Sequence, residues 1–152
     1  MLKAVQKLID KFENKQIYFC DSVSGSRINF EPNGVSLCHE ATLRIKPKEV
    51  SFVSDISDFS VEKFYEHIYR LLELFQDESF PCRKCPLCSL REYRFMPISF
   101  AVVGLSHSCN SDCIYCDVRV GGKNDGYDIA PWIKEFSENN LISRSVLFDW
   151  GG

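Results

Sequence analysis

Ile98-Ser99-Phe100-Ala101-Val102-Val103 runs directly into Gly104-Leu105-Ser106-His107-Ser108-Cys109-Asn110-Ser111-Asp112-Cys113-Ile114-Tyr115-Cys116. The first part is a short, nearly continuous apolar run bounded by Pro97 and Gly104, the pattern of a buried parallel strand. The second part places three thiols at spacings of three and two intervening residues. Thiolates are soft ligands that select zinc, cuprous copper or iron-sulfur clusters, and a loop this short can turn three sulfurs towards one centre. A closed structural zinc site takes four protein ligands, and an electron-transfer cluster normally has four thiolates. Three thiolates on a cubane leave one iron without a protein ligand, and an open iron is where chemistry can occur.

The segment that follows keeps to the same plan. Gly121-Gly122 and Asn124-Asp125-Gly126 are turn signals. Asp128 is placed to cap a helix in which Ile129, Trp132, Ile133 and Phe136 recur at helical spacing, and Asn139-Asn140 ends it. Ser145-Val146-Leu147-Phe148 reads as another buried strand, closed by Asp149-Trp150-Gly151-Gly152. Strand, ligand loop, helix and strand in this order are the opening of a parallel α/β barrel, which carries its ligands at the carboxyl ends of its strands.

Cys109-x3-Cys113-x2-Cys116, with the aromatic Tyr115 before the last cysteine, resembles the cluster motif of the radical S-adenosylmethionine (radical SAM) superfamily. The resemblance implies that Cys109, Cys113 and Cys116 hold a 4Fe-4S cluster whose open iron is chelated by S-adenosylmethionine, with Tyr115 beside the adenine. It implies reductive cleavage of that cosubstrate to a 5′-deoxyadenosyl radical, which abstracts a hydrogen atom from a substrate. Gly151 and Gly152 match the first two positions of the family's Gly-Gly-Glu motif, whose backbone binds the cosubstrate's amino group. Glycine suits that task because it lets backbone approach a ligand. The fold so implied is α/β, the opening of a truncated (β/α) radical SAM partial barrel over 96–152, preceded by a small α+β cysteine-rich module over 1–95. A complete barrel uses on the order of 200 or more residues, so the expectation is an amino-terminal fragment, inactive alone, of a longer enzyme.

The upstream module holds the other five of the eight cysteines. Cys82-Arg83-Lys84-Cys85-Pro86-Leu87-Cys88 separates three thiols by two residues each, a spacing that lets neighbouring sulfurs grip one metal. Glu92 stands where a bacterial ferredoxin run would place its fourth cysteine. Cys20, Cys38 and the Cys82 group together resemble the SPASM-type auxiliary modules of radical SAM enzymes. That resemblance implies an auxiliary iron-sulfur cluster on Cys82, Cys85 and Cys88 with Cys38 or Cys20. Structural zinc is the competing reading, and His39 beside Cys38 is an alternative ligand. Arg83 and Lys84 favour thiolate by their charge. Thiol exchange is the third chemistry open to CxxC pairs, but Pro81 and Pro86 give these thiols no thioredoxin-like helix.

Local patterns fill in the module. Leu2, Val5, Leu8, Ile9 and Phe12 share one helical face. Gln16 to Phe19 is a short strand, and Arg27–Phe30 and Val35–Cys38 flank Asn33-Gly34, a hairpin signal. Thr42 to Ile45 adds a further strand candidate, and 52–59 is irregular. Ser60 caps a helix from Val61 to about Asp77 whose stripe is Val61, Phe64, Ile68, Leu71, Leu72 and Phe75, with His67 at its boundary.

Bulk properties narrow the setting. A net charge of −3, from 18 basic and 21 acidic residues without a long run of either sign, is no nucleic-acid footprint. The amino terminus has no apolar core or cleavage site of a secretory signal, and no stretch reaches the length of a membrane span. A cytoplasmic protein follows, in which a reducing environment keeps eight cysteines available to metal rather than to disulfides. The implied partners are S-adenosylmethionine, an electron donor such as flavodoxin or ferredoxin, and a substrate of unknown identity, peptide or carbohydrate in many enzymes with such modules. The alternative is a non-enzymatic, zinc-stabilised interaction module.

Overall fold

The structure, a computed structural model, describes residues 1–31, 34–38, 47–51, 53, 58–104 and 128–151. It is a mixed α/β protein. The amphipathic start forms α1 (Lys3–Phe12), which buries Ala4, Val5, Leu8 and Phe12. It leads into β1 (Gln16–Phe19) and a single 3₁₀ turn, Asp21–Val23. Strands β2 (Arg27–Glu31) and β3 (Gly34–Ser36) pair antiparallel with Glu31 opposite Gly34, and Gly34 takes φ 146°, so the hairpin expected from Asn33-Gly34 forms. A four-residue helix, α2 (Lys48–Ser51), follows; the strand candidate Thr42–Ile45 lies outside the described residues.

Helix α3 (Val61–Leu74) begins where Ser60 was expected to cap it, with the Lys63 N–H donating to Ser60 Oγ at 3.2 Å. It stops three residues before Asp77, where the Gln76 and Asp77 N–H groups turn tightly onto the Glu73 and Leu74 carbonyls. A 3₁₀ segment, Pro81–Lys84, leads to β4 (Ser89–Glu92). Sequence pattern does not announce β4: its side chains are mostly exposed, and pairing with β1, Gln16 opposite Glu92, creates it.

The larger sheet has the order β3-β2-β5-β6, with β5 spanning Ile98–Gly104 and β6 spanning Ile142–Gly151. β5 and β6 are parallel, connected through α4 (Ala130–Glu138), as the strand-helix-strand reading expects. Asp128 Oδ1 accepts from the Ala130 N–H at 2.9 Å, although the cap position itself falls on Ile129. Asn140 closes the helix at φ 57°, a left-handed conformation that asparagine tolerates.

β2 is also parallel to β5, Ile28 opposite Ala101 and Phe30 opposite Val103. One sheet therefore crosses position 95/96 and takes strands from both segments. The face carrying Ile28, Phe30, Ala101 and Val103 is fully buried. On it Phe30 stacks on Trp132 of α4 at 5.4 Å and 9°, and Phe64 of α3 meets Phe136 of α4 edge-on at 6.0 Å. α1 is tied to α3 by the Ala4 N–H donating to Glu62 Oε1 at 2.9 Å and by the ion pair Lys11–Glu73.

β6 differs from the buried strand expected at Ser145–Phe148. It runs from Ile142 and lies at the sheet edge, so Val146 and Phe148 are half-buried and Leu147 is 60 % exposed. No helix among the described residues is long and apolar enough to cross a membrane.

Candidate metal centre

Four cysteines from three separate parts of the chain line one small cavity: Cys20, Cys38, Cys82 and Cys85. Cys20 follows β1 and precedes the Asp21–Val23 turn, in which the Val23 N–H donates to the Cys20 carbonyl at 3.1 Å. Cys38 lies two residues past β3, held by its N–H donating to the Val50 carbonyl at 3.2 Å. Cys82 and Cys85 are the two ends of a turn in which the Cys85 N–H donates to the Cys82 carbonyl at 3.1 Å. Pro81 starts that turn because its fixed φ suits a first helical position and its missing N–H is not needed there.

The remaining walls are Val23, Val50, Phe75 and Leu87, with Ser22 beside Cys20. The cavity holds about 20 Å³. Burial pushes the Cys20 thiol up to about 11 and the Cys82 thiol up to about 12, with the neighbouring cysteines adding to both. All are thiols rather than disulfides. Among the described residues no three Cys, His, Asp or Glu side chains already converge closely enough to grip an ion.

Cys88 is not part of this lining. It follows a second turn, in which the Cys88 N–H donates to the Cys85 carbonyl at 2.9 Å, and it stays near enough to Cys82 for the two thiols to interact. Its thiol is raised by burial, against the opposing charges of Arg83 and Arg91. The Arg83 guanidinium lies 3.1 Å over the Tyr18 ring, and Arg91 pairs with Asp21 at 2.9 Å.

The second candidate region is the carboxyl edge of the larger sheet. Gly104, where the Cys109-Cys113-Cys116 loop departs, stands opposite Gly151, the first glycine of the terminal pair. Cys109, Cys113, Cys116 and Tyr115 lie outside the described residues, as do Gly152 and His39. On the sheet face opposite α4, Asn29, Val102 and Asp149 occupy successive register positions two residues before that edge. Asn29 is fully buried, and among the described residues neither its amide nitrogen nor its oxygen has a hydrogen-bond partner. Nothing in sequence pattern singled it out, because an asparagine between Ile28 and Phe30 reads as one more outward-facing strand residue.

Compared with protein-family models, with curated proteins and with solved structures, the chain matches none.

Proposed function

We propose that this chain carries the cluster-binding part of a radical SAM enzyme, with 96–152 as the opening of its partial barrel. The observation that supports this best is the combination of Cys109-x3-Cys113-x2-Cys116 with the strand that delivers it. β5 is central and parallel to both neighbours, its carboxyl end opens directly into the cysteine loop, and α4 and β6 follow in the order of a β/α unit. Gly104 opposite Gly151 supports the same reading, since it brings the starts of the cysteine loop and of Gly151-Gly152 to one sheet edge. Ligands of open α/β sheets and barrels gather at that edge.

The donor set fits the implied group: Cys109, Cys113 and Cys116 supply three thiolates, which hold a 4Fe-4S cluster with one iron left open. When bound, the group supplies an electron to S-adenosylmethionine, whose cleavage yields the radical that takes a hydrogen atom from substrate. The chain's own contributions are positional. Gly151 and Gly152 offer backbone without a Cβ to the cosubstrate's amino group, Tyr115 flanks its adenine, and Asn29 holds an unspent amide near the same edge. A cytoplasmic setting, a flavodoxin- or ferredoxin-type electron donor, and a peptide or carbohydrate substrate belong to this reading.

The competing reading, a zinc-stabilised interaction module, gives zinc at both cysteine groups and no iron. Metal and sulfide analysis after anaerobic reconstitution separates the two: roughly four irons and four sulfides on Cys109, Cys113 and Cys116 for the enzyme, zinc alone for the module.

A further inference from the structure

We infer that Cys20, Cys38, Cys82 and Cys85 form a closed four-thiolate site for a single divalent ion such as zinc, and that Cys88 is not one of its ligands. This does not rest on the radical SAM reading, and it departs from the auxiliary cluster that the sequence resemblance implies.

Three observations carry it. The first is membership: of the five upstream cysteines, four line the cavity, from two loops and one CxxC turn, and the fifth, Cys88, one turn further on, is not in the lining. Two residues between Cys82 and Cys85 let both sulfurs reach one ion, while Cys20 and Cys38 approach from the ends of β1 and β3.

The second is size. A cavity of about 20 Å³ is close to the space one water-sized sphere needs, roughly 10–15 Å³ by the same kind of measure. One ion fits that space. The third is chemistry. Four soft sulfurs in a largely apolar shell of Val23, Val50, Phe75 and Leu87, with Ser22 the one hydroxyl residue in the lining, suit tetrahedral zinc. Binding an ion draws the sulfurs in from the lining to the centre.

The test uses the 152-residue chain with C109A, C113A and C116A, which removes the other cysteine group from the readout. Zinc-edge X-ray absorption on this variant is expected to show one zinc per chain with four sulfurs at about 2.3 Å. C88S added to it is expected to keep the ion, and C82S or C20S to lose it. A nitrogen or oxygen in the first shell, metal–metal scattering from a polynuclear cluster, or loss of the ion in C88S would each overturn the assignment. Because the absorption spectrum is read on the chain with all five upstream cysteines intact, misfolding of C82S or C20S leaves the decision standing.

Discussion

Gly104 and Gly151 are register partners on adjacent parallel strands, at the edge where both chains leave the sheet. The cysteine loop starts from one and the Gly-Gly pair from the other, so residues 47 positions apart in sequence (151 − 104) meet at one sheet edge. If this edge binds S-adenosylmethionine, the cosubstrate perturbs the paramagnetic spectrum of the reduced, reconstituted chain. Replacing Gly151 or Gly152 with valine puts a branched side chain where backbone must approach, and is expected to weaken that response at least about tenfold, or about 1.4 kcal/mol. A titration of the spectrum with cosubstrate measures it, and an unchanged midpoint in both variants counts against the glycines.

Asn29 gives a prediction of opposite sign for stability. A fully buried amide without partners carries a desolvation cost of about 1–3 kcal/mol, and an apolar residue of similar volume removes it. Asn29→Leu is therefore expected to raise the unfolding free energy by about that amount in a denaturant titration. A destabilised Asn29→Leu would mean that the amide is satisfied in the folded protein after all.

Ser60 anchors the start of α3 through the bond its Oγ accepts from the Lys63 N–H at 3.2 Å. Ser60→Ala leaves that first-turn donor unsatisfied and should cost about 1 kcal/mol. The check is a lower denaturation midpoint with an unchanged slope.

Much of this framework is legible in sequence. Periodicity reveals the stripes of α1, α3 and α4, Asn33-Gly34 marks the hairpin, and the apolar run Ile98–Val103 marks β5, because each signal is local. What is not legible depends on distant partners. β4 exists only because β1 pairs with it, and β2 joins β5 across some 70 residues of chain. The cysteine cavity is of the same kind: spacing groups Cys82, Cys85 and Cys88, but the fold selects Cys20 and Cys38 as neighbours and leaves Cys88 aside. Burial of Asn29 likewise follows from the sheet it enters and not from its own sequence context.

His67 makes stability depend on pH. Its half-buried ring, with Nε2 2.6 Å from the Glu49 carbonyl, is held below the ordinary value of 6.5 chiefly by burial, with Arg70 adding to the effect and the carbonyl opposing it. The unfolded chain then takes up a proton at a higher pH than the folded one, so stability is full above 6.5 and falls as pH drops from 6.5 towards the folded value. His67→Gln is expected to flatten that part of the stability profile measured by denaturation at a series of pH values. A profile as steep in the variant as in the parent would assign the dependence to other groups.

The claim on which the functional account depends is that Cys109, Cys113 and Cys116 hold a four-iron cluster. Iron and sulfide are to be counted, and the reduced chain's paramagnetic resonance recorded, after anaerobic reconstitution of the parent and of the C109A/C113A/C116A chain. The account predicts about four irons and four sulfides with a cubane signal in the parent, all lost in the variant. An absence of iron in the parent, or the same iron and signal in both chains, would contradict it.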